Sequence, residues 1–324
     1  MLTLDTTRDM VNKAILNLVL KTQPSELYDP IRYTLSIGGK RLRPCMVIMG
    51  CNLFKDRIDE AIHPALAIEI FHNFTLLHDD IMDDSLLRRN HPTVHKQWNR
   101  NIAILSGDVM AFLAYGQLIQ TRTEIINDLI QIFTRTAEAV CEGQQYDLNF
   151  ELKHKVTESE YLKMIELKTA VLMGASLKIG SIVGGASPSD ADNMYAFGKN
   201  LGMAFQLQDD LLDVYGDPEV FGKSIGGDIV GNKKTYLLVK TIEMADKKTQ
   251  EKIINLMNDQ DLERKEKIHS VKTVYHQFAI KKQTHEMVNR YLSKANSKLA
   301  VVHVEETRKE ELRKLALSLL DREK

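Results

Sequence analysis

The distribution of proline is the strongest constraint on what this 324-residue chain folds into. The seven prolines are Pro24, Pro30, Pro44, Pro64, Pro92, Pro188 and Pro218. Proline locks φ and lacks an N–H, so helix interiors exclude it. From Pro92 to Pro188, and from Pro218 to the end, none interrupts long segments with apolar residues at i, i+3, i+4 and i+7. That period predicts helices over 61–87, 102–122, 124–148, 157–185 and 188–215. Strand-like alternation is scarce, and 17 Gly with 7 Pro fall well below the roughly 12% of average usage. The chain is expected to be all-α. No linker, low-complexity tract or short-period repeat appears, which predicts a single domain over 1–324.

Composition excludes some functions. A hydrophobic fraction of 44% supplies a large core, and 27% charged residues can cover it. With 43 Lys+Arg against 44 Asp+Glu, the net charge of −1 gives no broad basic surface, so no nucleic-acid partner is expected. Any site for a highly charged ligand must be local. Cys45, Cys51 and Cys141 form no CxxC pair and are odd in number, which predicts three buried thiols in a reducing compartment. The apolar patch 14–20 is broken by Asn17 and has no basic flank or cleavage site. No stretch approaches the roughly 20 apolar residues that span a bilayer. A cytoplasmic chain without stable membrane insertion is expected. The polar stretches DLERKEK (261–267) and EETRKEELRK (305–314) predict solvated outer faces with i,i+4 ion pairs.

Two segments share one acidic pattern, DDIMD at 79–83 and DDLLD at 209–213. In each, the first and last Asp stand at i and i+4 on one helical face, about one turn apart. Asp80 and Asp210 sit roughly 100° around the helix, within reach to hydrogen-bond or support their neighbours. Like charges at that spacing repel, so two such pairs inside apolar helices point to a hard divalent cation. Oxygen-only donors suit Mg²⁺, which takes one or two carboxylates and completes its octahedron with water and phosphate oxygens. Neither segment has a Glu-x-x-His signature, which argues against a redox metal.

Cations accompany both clusters. Arg88 and Arg89 follow Asp83, and GGKRLRP (38–44) places Lys40, Arg41 and Arg43 behind two glycines that permit a tight turn. Pro44 suits the opening of a helix. The second cluster is followed by the Gly-rich, Lys-bearing GKSIGGDIVGNKK (222–234). Lys168 and Thr169 sit among Leu167, Ala170, Val171 and Leu172, a costly place for an ammonium without an anion. Taken together, acid and base alternate around two polyanions. One is carried through the metal and the other on Arg and Lys alone.

GGKRLRP, DDIMD with Arg88–Arg89, Lys168–Thr169, FQLQDD and the late Lys-rich loop resemble the trans-isoprenyl diphosphate synthases, in the family's order over about residues 35 to 240. The resemblance implies an all-helical bundle around a deep central cavity, the isoprenoid synthase fold, and a homodimer. It implies that Asp79 and Asp83 bind two Mg²⁺ ions and Asp209 a third. It assigns Arg88, Lys168, Lys223 and Lys233 to an allylic diphosphate, helped by Thr169 and Gln206, and Lys40, Arg43, His72 and Arg89 to isopentenyl diphosphate. The spacing agrees in part, since His72, Asp79 and Asp83 share one stripe, as do Gln206, Asp209 and Asp213. The implied reaction ionises the allylic diphosphate, adds isopentenyl diphosphate and loses a proton to the departing diphosphate, since the sequence offers no dedicated base. An apolar cavity that excludes water protects the allylic cation. Where many members carry glycine, this chain has Asn90 and Asn232, the non-glycine residue that best tolerates left-handed backbone.

Phe74 lies five residues before Asp79, about 7.5 Å along the helix, with Phe71 deeper. An aromatic there, without an insertion in DDIMD, resembles the shorter-product synthases, C15 to C20. The same two residues also read as ordinary core. The other readings are a longer-chain synthase, a terpene cyclase and a non-catalytic lipid-binding subunit of a heteromeric synthase. A cyclase needs neither Lys40 and Arg43 nor a second symmetric cluster, and the intact clusters argue against the subunit.

Overall fold

The structure, a computed structural model, describes residues 1–216, 225–259 and 261–320. Among these, helices make up nearly all of the regular structure. In order the helices are α1 (Leu4–Leu16), α2 (Ser25–Ser36), α3 (Leu42–Phe54), α4 (Ile62–Met82), α5 (Val94–Gln97), α6 (Arg100–Leu118), α7 (Thr123–Leu152) and α8 (Glu158–Ile165). They continue as α9 (Val171–Val183), α10 (Pro188–Tyr215), α11 (Gly227–Val230), α12 (Tyr236–Met244), α13 (Lys247–Asn258), α14 (Arg264–Gln277), α15 (Ile280–Ala300) and α16 (Glu306–Leu320). The only strands among the described residues are β1 (Leu87–Arg88) and β2 (His91–Pro92), an antiparallel pair. The apolar period located α10 to the residue. The segment expected over 61–87 stops at Met82, because Asp84 turns left-handed (φ +48) and starts the loop into the hairpin.

The described chain separates into two compact units. One comprises Met1–Arg135, Ala175–Tyr195 and Val302–Glu311, and the other Thr136–Gly174, Ala196–Val301 and Leu312–Lys324. In the first, α3 is buried almost all round, because its sequence LRPCMVIMGCNLF carries apolar residues on every face. It meets 175–195 backbone to backbone: a Cβ on Gly180 would lie 2.0 Å from the Val47 carbonyl oxygen. The second unit has a core of Phe150, Tyr161, Met164, Met203, Leu207 and Tyr236 and an adjoining cluster around Leu211, Leu237, Val271 and Tyr275.

Two expectations are corrected. Cys45 and Cys51 are buried, but Cys141 is exposed on α7, since the apolar side of that helix lies elsewhere. The polar late helices are not solvated throughout. Lys267 is buried and its ammonium donates to the Met257 and Asp259 carbonyls, where α13 ends with unpaired acceptors. Lys309 is buried with its ammonium 2.7 Å from Glu306. No helix among the described residues is long and apolar enough to cross a membrane.

Candidate active site

In the first unit, α4 carries the first acidic cluster to its C-terminus. Asp83 caps the helix, its N–H bonded to the Asp79 carbonyl at 2.8 Å. Asp80, buried behind them, accepts Arg88 in a fork, with Nε at 3.0 Å from Oδ1 and Nη2 on the same oxygen. Arg88 Nη2 also lies 3.8 Å from Asp79 Oδ2. Burial pushes the Asp80 carboxyl above its ordinary range, opposed by the Arg88 hydrogen bond and charge. Burial alone would lower Arg88, but Asp80, Asp79 and Asp83 outweigh it and hold the guanidinium above its usual value. Arg88 is thus tied to the acidic cluster itself.

Asp84, one residue beyond the motif, was not singled out from sequence. Its carboxylate gathers Lys96 Nζ at 2.9 Å, Arg100 Nη2 at 3.4 Å and His95 Nε2 at 3.5 Å. The signal was present, since the motif ends in a doubled Asp followed by basic residues on α5 and α6.

The basic stretch 38–44 divides into three roles. Lys40 is exposed. Arg41 turns into the core, 2.5 Å from Glu69 and bonded to the Leu35 carbonyl, a buried pair rather than part of a phosphate site. Arg43 Nη1 sits 3.0 Å from His72 Nε2. A guanidinium has no acceptor, so His72 accepts through Nε2 and carries its proton on Nδ1. Burial, followed by the charges of Arg43, Arg89, Arg88 and Arg41, holds His72 well below the usual imidazole range. Burial lowers Arg43 to about 10, which leaves it a cation at neutral pH, and its Nε is buried with no hydrogen-bond partner among the described residues. Arg89 Nη1 donates to the Gly38 carbonyl. Gly39 has φ +133, and a Cβ there would lie 2.6 Å from Arg89 Cζ. The two glycines therefore let the loop pass beneath the guanidinium. Asn90 adopts φ +63, the left-handed conformation expected of it.

The proposed chain-length residues belong to an aromatic ladder. Phe74 meets His78 edge to face (4.8 Å between ring centroids) and Phe71 at a tilt (5.5 Å), and Phe71 meets Phe133 edge to face (5.2 Å). Phe71 is buried and Phe74 half-buried, the order expected of a wall with one exposed rung.

In the second unit, Lys168 and Thr169 lie in a π-helical turn, Glu166–Ala170, between α8 and α9. Such turns insert one residue and reorient the side chains they carry. Gly143 of α7 makes room for it, because a Cβ there would lie 2.3 Å from the Lys168 nitrogen. Lys168 meets an anion, Asp147, at 2.6 Å. Thr169 Oγ1 donates to Gln206 Oε1 (3.1 Å), and Gln206 Nε2 donates to Asp210 Oδ1 (3.1 Å). Asp210 is buried and also accepts from the Tyr161 hydroxyl and the Tyr236 N–H (3.1 Å). Burial, opposed by these hydrogen bonds, pushes its carboxyl up to about 7.

The two acidic clusters are not equivalent. Asp209 is half-buried on α10, while Asp213 Oδ2 accepts the Asp228 N–H at 3.0 Å and so is engaged by the glycine-rich turn. Asn232 is left-handed (φ +54) and Lys233 is exposed just after it. Lys223 lies outside the described residues. Among the described residues no three His, Cys, Asp or Glu side chains stand together as a ready metal cage. The acidic donors come instead as helical pairs of carboxylates, a set that fits a hard divalent ion sharing its coordination with water and phosphate.

The sequence pattern of the polyprenyl synthetase family matches residues 24–277. The chain is 41% identical over 235 residues to a geranylgeranyl diphosphate synthase of Methanosarcina mazei, covering 72% of each protein. It is 33% identical over 316 residues to a short chain isoprenyl diphosphate synthase of Methanothermobacter thermautotrophicus, covering 97% of this chain and 96% of the relative. A crystal structure of a geranylgeranyl pyrophosphate synthase superposes with a TM-score of 0.94 over 100% of both chains at 41% identity. The chain has the all-α isoprenoid synthase fold and belongs to the polyprenyl synthetase family, as a trans-isoprenyl diphosphate synthase and hence a prenyl-transferring enzyme.

Proposed function

We propose that this chain acts as one isoprenoid synthase domain that condenses isopentenyl diphosphate with an allylic diphosphate to give an all-trans C15–C20 product. The reading rests chiefly on His72, a neutral imidazole on α4, the helix that ends in Asp79 and Asp83, paired at 3.0 Å with the half-buried cation Arg43 of α3. Lys40, Arg43, His72 and Arg89 hold isopentenyl diphosphate without metal, because cations and an Nδ1–H are all donors to phosphate oxygens. Arg88, Lys168, Lys223 and Lys233, with Thr169 and Gln206, hold the allylic diphosphate. Asp79, Asp83 and Asp209 are the carboxylates for divalent metal, with three Mg²⁺ ions as the proposed number. When bound, the metal neutralises charge on the departing diphosphate.

The chain's own residues do the rest. Asp80 aims Arg88 from behind, so its guanidinium is preorganised where negative charge grows. Arg43 and Arg89 orient the second diphosphate so that its double bond meets the allylic carbon. Phe74, with Phe71 beneath it, limits how far the growing tail extends. The names of the similar proteins, geranylgeranyl and short chain synthases, favour the C20 end of the range. We further propose a cytoplasmic homodimer joined through α6, where Leu105 and Phe112, with Ile119 just past the helix end, recur every seven residues and are 58%, 76% and 56% exposed.

The test is turnover of the purified chain with Mg²⁺, isopentenyl diphosphate and allylic diphosphates of increasing length, with products resolved by chain length. C15–C20 products are expected from the native protein and longer ones from Phe74→Ala. No turnover would remove the catalytic reading. Unchanged products from Phe74→Ala would remove Phe74 as the floor.

A further inference from the structure

Tyr161 belongs to none of the motifs, yet it is buried to 2% exposure and its hydroxyl donates to Asp210. Asp210 is a hub. One oxygen takes the Gln206 amide at 3.1 Å, and the other takes Tyr161 together with the Tyr236 N–H at 3.1 Å. Each bond reaches a different segment. Gln206 continues to Thr169, beside Lys168 in the π turn. Tyr236 is the first residue of α12, directly after Lys233, Lys234 and Thr235. Tyr161 itself lies on α8, two turns before Lys168.

We propose that Tyr161 is a positioning residue for the prenyl-transfer reaction. Its hydroxyl fixes the Asp210 carboxylate, and Asp210 in turn fixes the Gln206 amide and the start of α12. The proton count supports this. Thr169 Oγ1 donates to Gln206 Oε1, so the amide nitrogen must face Asp210. Both ends of the amide are then assigned, and rotating it would set its oxygen against the Asp210 carboxylate, acceptor against acceptor. The Tyr161 hydroxyl holds the carboxylate plane on which that assignment depends. Without it, Asp210 Oδ2 keeps one weaker partner, the Tyr236 N–H, and can rotate away from Gln206. The ring of Tyr161 packs 6.2 Å from that of Tyr236, so removing the hydroxyl alone leaves the core filled.

The inference rests on the proposed role of Gln206 and Thr169 at the allylic diphosphate, and the experiment separates the two. Tyr161→Phe, Gln206→Ala and the double variant are compared for kcat and for KM of each substrate, with thermal unfolding as a check on folding. Tyr161→Phe is expected to lower kcat/KM for the allylic substrate about tenfold, as for one hydrogen bond to a charged group, with KM for isopentenyl diphosphate within about twofold of native. In the Gln206→Ala background the same change is expected to cost clearly less than tenfold, because only the route through the start of α12 remains. Additive losses, equal effects on both substrates, or native kinetics in folded Tyr161→Phe would overturn the proposal. Full activity of Gln206→Ala would instead overturn the role given to Gln206.

Discussion

His72 shows how a single residue's chemistry is set by its neighbours. On sequence alone it is one histidine on the stripe of Asp79 and Asp83. In the structure its Nε2 accepts from Arg43, and burial and four arginine charges disfavour a second proton. The consequence for stability has a definite sign. The folded-state pKa is depressed, so below the unfolded value of about 6.5 the unfolded chain binds a proton that the folded chain does not. Stability is therefore full above that pH and falls as the solution is acidified, by about 1.4 kcal/mol per pH unit from this group. Urea unfolding between neutral and mildly acidic pH should show a steeper loss in the native protein than in His72→Gln. Equal slopes would mean that His72 is not held neutral. Arg41 teaches a related lesson. It shares the basic stretch with Lys40 and Arg43, but only its buried contact with Glu69 reveals that it serves the core.

At the scale of elements, the π turn Glu166–Ala170 is the feature that most shapes the surroundings of Lys168 and Thr169 in the second unit. The apolar neighbours of Lys168 called for an anion near its ammonium, and Asp147 stands there at 2.6 Å. The sequence did not disclose the turn, because the apolar period continues through it and a single extra residue leaves little trace. What signals it in retrospect is Gly143 on the facing helix. Gly143→Ala would drive a Cβ to 2.3 Å from the Lys168 nitrogen, a backbone atom with little freedom to retreat. Such overpacking should cost about 1–3 kcal/mol and displace Lys168. Calorimetry should record a lower Tm, and kcat should fall in variants that remain folded. A native Tm with native kcat would show that the turn relaxes freely. The end of α4 follows the same principle on a smaller scale. Period alone extended the helix to 87, but Asp84, left-handed and gathered by Lys96 and Arg100, ends it five residues earlier.

At the scale of the whole molecule, an exposed apolar stripe on α6 is unusual in a chain with 27% charged residues available to cover it. Its seven-residue recurrence was visible in the sequence only as part of a helix with apolar residues on several faces. Burial separates the inner set, Ala103, Met110, Ala114 and Leu118, from the outer Leu105, Phe112 and Ile119. Phe112→Glu should shift sedimentation from dimer toward monomer without lowering the content of helix. A native dimer in that variant would place the contact elsewhere. The proposed single domain belongs to this scale as well, since the helices α7, α9 and α10 each supply residues to both compact units.

By itself the sequence determined the class of fold and the inventory of chemistry. Proline-free apolar periods leave a chain little choice but helices, and two acidic clusters with paired cations are expensive unless they meet a metal and phosphate. These are local properties, fixed by spacing within a turn or two. Only the tertiary structure decided which of the similar side chains do which work. It sent Arg41 to the core and Arg43 to His72, tied Arg88 to Asp80, gave Asp213 to a turn, and made Asp210 the hub that Tyr161 holds. The reason is physical. Burial and hydrogen-bond partners come from residues distant in sequence, and they alone settle whether a charge is solvated, paired or aimed at a ligand.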